Sequence, residues 1–214
     1  MLFQRSIIDL LYKKIIVLCT LLEIENQQIK SFMKKKICRL LYRIAIHLPD
    51  SDLRWGRKGR IRIGRMARKI RYALCRNIFE YCGEDVNIQK GAHFGSGTHL
   101  RIGNHSGLGV NCVIPDGSVI GDDVMMGPNC YVHQRNHAFD RTDIPMRLQG
   151  VTERKPVIIE DDVWIGRDVT IMVGRHIAKG TIVASNSVVT KDFPSYSIIG
   201  GNPAKLIRSR LLES

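Results

Sequence analysis

The sequence has no stretch able to cross a bilayer as a helix. Spanning needs about 20 consecutive apolar residues, and the longest apolar stretch, Ile15 to Leu22, is already interrupted at Thr20. No small-residue cleavage site follows it, so no secretory signal is expected. Aromatic residues are scarce. In the most basic stretch, residues 54–71, Trp55 is the sole aromatic. Such a stretch is poor at stacking on bases, which argues against a nucleic-acid partner. The six cysteines, at 19, 38, 75, 82, 112 and 130, form no Cys-x-x-Cys pair. That excludes a zinc knuckle or a dithiol motif. Without a secretory signal, reduced thiols and a cytoplasmic location are expected.

Acidic residues are short in the first part of the chain. Residues 1–85 carry 19 Lys and Arg against 8 Asp and Glu, whereas residues 86–214 carry 14 against 12. The net charge of +13 therefore belongs mostly to the N-terminal side. Apolar residues at three- and four-residue spacings predict helices over about Arg5–Leu22 and Ile29–His47. Pro49 and Asp50 end the second. Its Lys34, Lys35, Lys36, Arg39 and Arg43 make it a basic amphipathic helix. That pattern fits either a solvated cap on the following domain or peripheral contact with an anionic membrane, at the inner face of the cell membrane.

The second part carries a six-residue repeat. Ile102, Leu108, Ile114, Ile120, Met126 and Val132 form one series; Ile159, Ile165, Ile171, Ile177, Val183 and Val189 form another. Two residues before each stop the side chain is small or apolar, Arg175 excepted, and glycine follows many stops. A period of six fits neither an α-helix nor alternating strands. It fits a solenoid of short strands with one aliphatic side chain inward per face, three faces to a coil of about 18 residues. The expected division is a helical basic region over 1–74 and a mainly β solenoid over 75–210, with a polar excursion over 133–158.

The strings S-G-L-G-V-N-C (106–112), M-M-G-P-N-C (125–130), N-H-A-F-D-R (136–141), V-W-I-G (163–166), V-V-T-K-D (188–192) and G-G-N-P-A-K (200–205) resemble, in this order, the hexapeptide-repeat acyltransferases. Within them the chain is most similar to the galactoside, maltose and xenobiotic O-acetyltransferase branch, and to acetyltransferases of bacterial surface-polysaccharide synthesis. The resemblance covers about residues 75–210. It implies a left-handed parallel β-helix, a homotrimer with sites between subunits, acetyl-CoA as co-substrate without a metal, and a sugar or polysaccharide hydroxyl as acceptor.

The family's catalytic histidine matches His137, in the interruption of the repeat; His133 is its rival. An imidazole suits proton removal from an attacking hydroxyl because its pKa lies near neutrality. Asp140 either orients that imidazole, contacts the acceptor or pairs with Arg141. Asn111 falls near an acceptor-binding position of the family, or else satisfies a turn. For the cofactor, Trp164 matches a residue beside the extended arm, its alternative being corner packing. Gly166 with Arg167, and Ala184 with Ser185, match turns that approach the pantetheine. The family often has Gly-Ala-Gly where this chain has Ala184-Ser185-Asn186. Thr190 and Lys191 follow, and Lys205 and Arg208 match basic positions that meet the nucleotide phosphates. Two other uses of such a solenoid stand beside this one: a zinc lyase like the γ-class carbonic anhydrases, and a non-catalytic, membrane-associated scaffold. His93, His99 and His105 recur at intervals of six, which places them on different faces of one coil rather than together.

Overall fold

The computed structural model describes residues 27–51, 53–55, 59–61 and 63–211. The helix expected over Arg5–Leu22 lies outside the described residues. Helix α1 spans Gln27–Ala45 and helix α2 spans Ile63–Ile78. Between them Leu53–Trp55 and Gly59–Ile61 pair antiparallel as a short hairpin. The region expected to be helical to residue 74 thus contains strands, and its last helix runs on to Ile78.

Beyond α2 the chain winds as a left-handed parallel β-helix of about six turns. The first face carries Tyr81–Cys82, Arg101–Ile102, Val119–Ile120, Ile158–Ile159 and His176–Ile177. The second carries Asn87–Ile88, Gly107–Leu108, Met125–Met126, Trp164–Ile165, Ile182–Val183 and Ser197–Gly200. The third carries His93, Val113, Tyr131–Val132, Thr170–Ile171 and Val188–Val189. Every strand is short because only one residue per face can point inward before the chain must turn. All twelve stops of the two sequence series are buried in one continuous core. Fully burying an aliphatic side chain stabilises by roughly 1.5–3 kcal/mol, so each coil adds its own increment. Arg175, the exception to the small-residue rule, sends its guanidinium out to the Thr190 carbonyl at 3.3 Å.

The core is closed at its N-terminal end by the helices. Phe94 packs against Tyr42 and, edge-on, against Phe79, with ring centroids 4.6 and 4.7 Å apart. The first coil's backbone is tied to the helical module at five points, one of them Tyr72 Oη donating to the Gly83 carbonyl at 2.9 Å. Arg71 Nε donates to the Ile88 carbonyl at 2.7 Å, and Asp50 accepts from Lys90 N–H at 2.7 Å. Gly91 N–H donates to Ile46 at 3.0 Å, and Tyr42 Oη donates to Ala92 at 2.7 Å. Arg71 is fully buried. It also donates to the carbonyls of Ala45 and Leu48 and forms an ion pair with Asp50. One guanidinium therefore joins the end of α1, the linker and the first coil.

The repeat is interrupted once. Stacked corner residues lie 18 apart where coils follow directly, and 39 apart across the excursion between Val132 and Ile158. The excursion folds back on itself. Thr152 N–H donates to the Asn136 carbonyl at 2.8 Å, and Ala138 N–H to Gly150 at 3.1 Å. Its tip is laced by one side chain: the Gln149 amide donates to the carbonyls of Arg141 (2.7 Å) and Ile144 (3.0 Å) and accepts from Arg141 N–H.

Arg71→Leu is expected to destabilise the protein by about 3–5 kcal/mol, because it leaves Asp50 without its cation and buried carbonyls without donors; urea unfolding checks this. Gln149→Ala should instead speed trypsin cleavage after Arg141 and Arg147 severalfold, while the thermal midpoint stays within a degree or two of the parent, since the loop lies outside the core.

Candidate functional site

The corner between the second and third faces is lined by Gly109, Gly127, Gly166 and Ala184 in successive coils. No larger residue fits at the glycines. A Cβ on Gly109 would lie 2.2 Å from the Gly127 carbonyl oxygen, and one on Gly166 would lie 2.6 Å from the Ser185 nitrogen. The result is a ledge that is bare backbone at its glycines. Beside it runs a column of left-handed residues, Asn111, Asn129, Asp168 and Asn186, with φ of 56°, 59°, 56° and 59°. Asn186 thus takes a left-handed turn conformation that glycine adopts most readily, and its N–H bonds the Arg167 carbonyl at 3.0 Å.

Three side chains of this column bond one another. Asn111 Nδ2 donates to Asn129 Oδ1 at 3.3 Å, and Asn129 Nδ2 donates to Asp168 Oδ1 at 2.8 Å. Arg167 Nε adds a bond to Asp168 Oδ2 at 2.9 Å. The Asn129 amide, then the Arg167 guanidinium, hold the Asp168 carboxyl below the usual carboxylate range. Arg167 is bent along its own turn, and Asn111 is committed to the corner, as a turn residue would be.

Ser185 is exposed on the ledge. Ala184 N–H bonds Ile199 at 2.8 Å, and Gly200 pairs with Lys205 on the antiparallel strand Lys205–Ser209. The structure therefore brings Gly166, Arg167, Ala184, Ser185 and Lys205 to one side of the prism. Arg208 lies further along the same strand, opposite Ile198. Trp164 stands on the adjoining second face, half-exposed, between Met125 and Ile182 in register. Thr190 and Lys191 do not join this group. They follow the third face, at the corner where the excursion departs, and Lys191 sits 5.4 Å over the Phe193 ring.

His137 lies on the excursion, exposed, with its backbone bridged to Val151. Asp140 is exposed on the same loop. The Asp140–Arg141 pair weighed from the sequence does not form: the Arg141 guanidinium grips Asp143, Nε to Oδ1 at 2.9 Å. His133 remains at the corner, edge-on to Tyr131 at 4.8 Å. Within one chain the excursion and the glycine ledge occupy different corners, separated by the third face.

At the root of the excursion the third face carries a cavity of about 420 Å³, walled by Ser96, Asp116, Tyr131, Gln134 and Arg154. Asp116 is held there by Ser96 Oγ and by His99 N–H at 2.8 Å. Sequence reading missed this residue. Its signal was Pro115, which stands where the repeat otherwise places glycine. Among the described residues no three His, Cys, Asp or Glu side chains are grouped to hold a metal ion, and no disulfide joins the described cysteines.

Comparison with known proteins agrees with this architecture. A model of the GLGC left-handed parallel beta-helix domain matches residues 82–193. A Saccharomyces cerevisiae protein named as an acetyltransferase is 36% identical over 63% of this chain and 68% of its own length. The galactoside O-acetyltransferase of Lactococcus lactis is 30% identical, covering 63% of this chain and 65% of that protein. Among solved structures, a hexapeptide-repeat acetyltransferase from Vibrio cholerae, complexed with acetyl coenzyme A, superposes with a TM-score of 0.60 at 38% identity, over 65% of this chain and 75% of that one. With the repeat, the coil and the excursion all in place, the chain belongs to the left-handed parallel β-helix family of hexapeptide-repeat acetyltransferases.

Proposed function

We propose that this protein transfers an acetyl group from acetyl-CoA to a hydroxyl of a sugar or polysaccharide precursor, with His137 as general base. The observation that carries this reading is a solvent-facing histidine on a hydrogen-bonded excursion from an otherwise regular prism. The stems of that excursion wall an open cavity in which Asp116, Gln134 and Arg154 stand among apolar residues such as Val113 and Tyr131, a mixture that suits a sugar ring.

The chemistry asks for two things. The acceptor must lose its proton as its oxygen attacks, and the thioester must be held in line. As the acceptor oxygen bonds to the acetyl carbon, its proton passes to an imidazole nitrogen of His137. The carbon–sulfur bond then breaks, and the imidazolium returns the proton to the leaving thiolate. The products are the acetyl ester and CoA. Asp116, Gln134 and Arg154 offer both acceptors and donors for acceptor hydroxyls. The ledge at Gly166 and Ala184, bare of long side chains, suits an extended pantetheine chain. Lys205 and Arg208 supply charge for the nucleotide phosphates.

Ledge and excursion sit on different corners of one prism. The reading therefore includes a three-fold assembly, in which one subunit's excursion faces the ledge of the next. The outward Met125 and Trp164 on the second face, 61% and 51% exposed, are apolar surface for such a neighbour to cover.

His137→Ala is expected to lower kcat by roughly 10²–10⁴-fold while CoA affinity by calorimetry moves less than about three-fold, because proton removal matters in turnover and not in ground-state binding. His133→Ala should stay within a few-fold of the parent. If His133→Ala is the inactive variant and His137→Ala is not, the base is misassigned. Lys205→Ala should do the converse of His137→Ala, raising KM for acetyl-CoA several-fold with little change in kcat; an unchanged KM removes Lys205 from phosphate binding.

A further inference from the structure

Helix α1 has two apolar stripes, and the prism uses one. Cys38, Tyr42 and Ala45 are buried against the first coil and α2. On the opposite side Ile29, Phe32, Leu40 and Ile44 stand 50%, 55%, 61% and 65% exposed. Their spacing puts them along a single outward face of the helix. Lys36 and Arg43 fall on that same face, and the Lys36 ammonium rests 5.1 Å over the Phe32 ring.

The charge on this helix has one sign. Gln27–Ala45 contains Lys30, Lys34, Lys35, Lys36, Arg39 and Arg43 and no acidic residue. The outward surface thus interleaves apolar side chains with Lys36 and Arg43, and is flanked by Lys35 and Arg39 on one side and Lys30 on the other. The opposing surface that matches it is one of anionic headgroups over an apolar layer. We propose that the outward face of α1 docks this protein on an anionic phospholipid bilayer, lying in the plane of the headgroups. Ile29, Phe32, Leu40 and Ile44 enter the acyl boundary, while the lysine stems reach back to the phosphates. No described helix is long and apolar enough to cross a membrane, so the contact is with one surface. A nucleic acid would use the charge but leave the apolar stripe in water. A helical protein partner would use the stripe but leave six cations uncompensated. The inference rests on the outward geometry of α1 and not on the proposed acetyl transfer, so either can fail without the other.

The test is co-sedimentation of the full-length chain with phosphatidylglycerol-containing vesicles, against pure phosphatidylcholine, across a salt series. Binding to the anionic vesicles that weakens steeply with salt is expected. Two variants assign it to α1 with residues 1–26 left intact. Lys34→Gln/Lys35→Gln/Lys36→Gln should weaken partitioning by roughly 100-fold at low salt. Phe32→Ser/Leu40→Ser/Ile44→Ser should weaken it at least about ten-fold. The thermal midpoint and CoA affinity serve as fold controls and should not move, because these side chains are not packed in the core. Equal binding to neutral vesicles overturns the proposal. So does undiminished binding by both variants, which would assign the contact to residues 1–26. So does binding of RNA or of another protein in place of vesicles.

Discussion

The prism depends on turning sharply three times per coil, and an L-residue turns that sharply only by entering the left-handed region. At the corner between the first and second faces Asp85, His105, Asp123, Asp162 and Gly180 take positive φ. At the next corner Gly91, Asn111, Asn129, Asp168 and Asn186 do the same. Aspartate and asparagine tolerate this backbone better than other side chains, because their short polar groups bond locally. At the second of these corners those groups also bond one another between coils, in the Asn111–Asn129–Asp168 series. There, a conformation that costs each coil some strain is offset by contacts between coils, and the corner holds its neighbours in register.

That constraint explains why so much of the fold could be read from the chain. One inward residue per face makes the period six, and the period is visible without any alignment; every one of its twelve aliphatic stops is in the core. Handedness could not be read that way, since a right-handed coil of the same length would show the same spacing, and it came from the resemblance of the motifs. The hairpin Leu53–Trp55/Gly59–Ile61 was hidden because each strand has only three residues, too short a run for its alternation to stand out in a basic stretch. Arg71 looked like one cation among many in a basic stretch. Nothing local distinguishes it from Arg68 or Lys69 until the first coil supplies its carbonyls.

The candidate site shows a similar division. Short strings singled out Gly166, Ala184 and Lys205, and the coil brings these residues to one side of the prism. Thr190 and Lys191, only a few residues further along, turn onto another corner. Sequence proximity does not survive a fold in which each six residues rotate the chain to a new face. Asp116 illustrates the reverse: it lies far from His137 in the chain yet belongs to the wall at the excursion's root, because one full coil returns to the same face.

The tie between the first coil and the helices has a consequence for self-association. A parallel coil ends in a row of unpaired amides and carbonyls, which is a template for another chain. Here Ile88, Lys90, Gly91 and Ala92 spend those groups on Arg71, Asp50, Ile46 and Tyr42. The helical module is thus a stopper. Stripped of it, the first coil would present those amides and carbonyls unpaired, a sticky end for another chain to pair with.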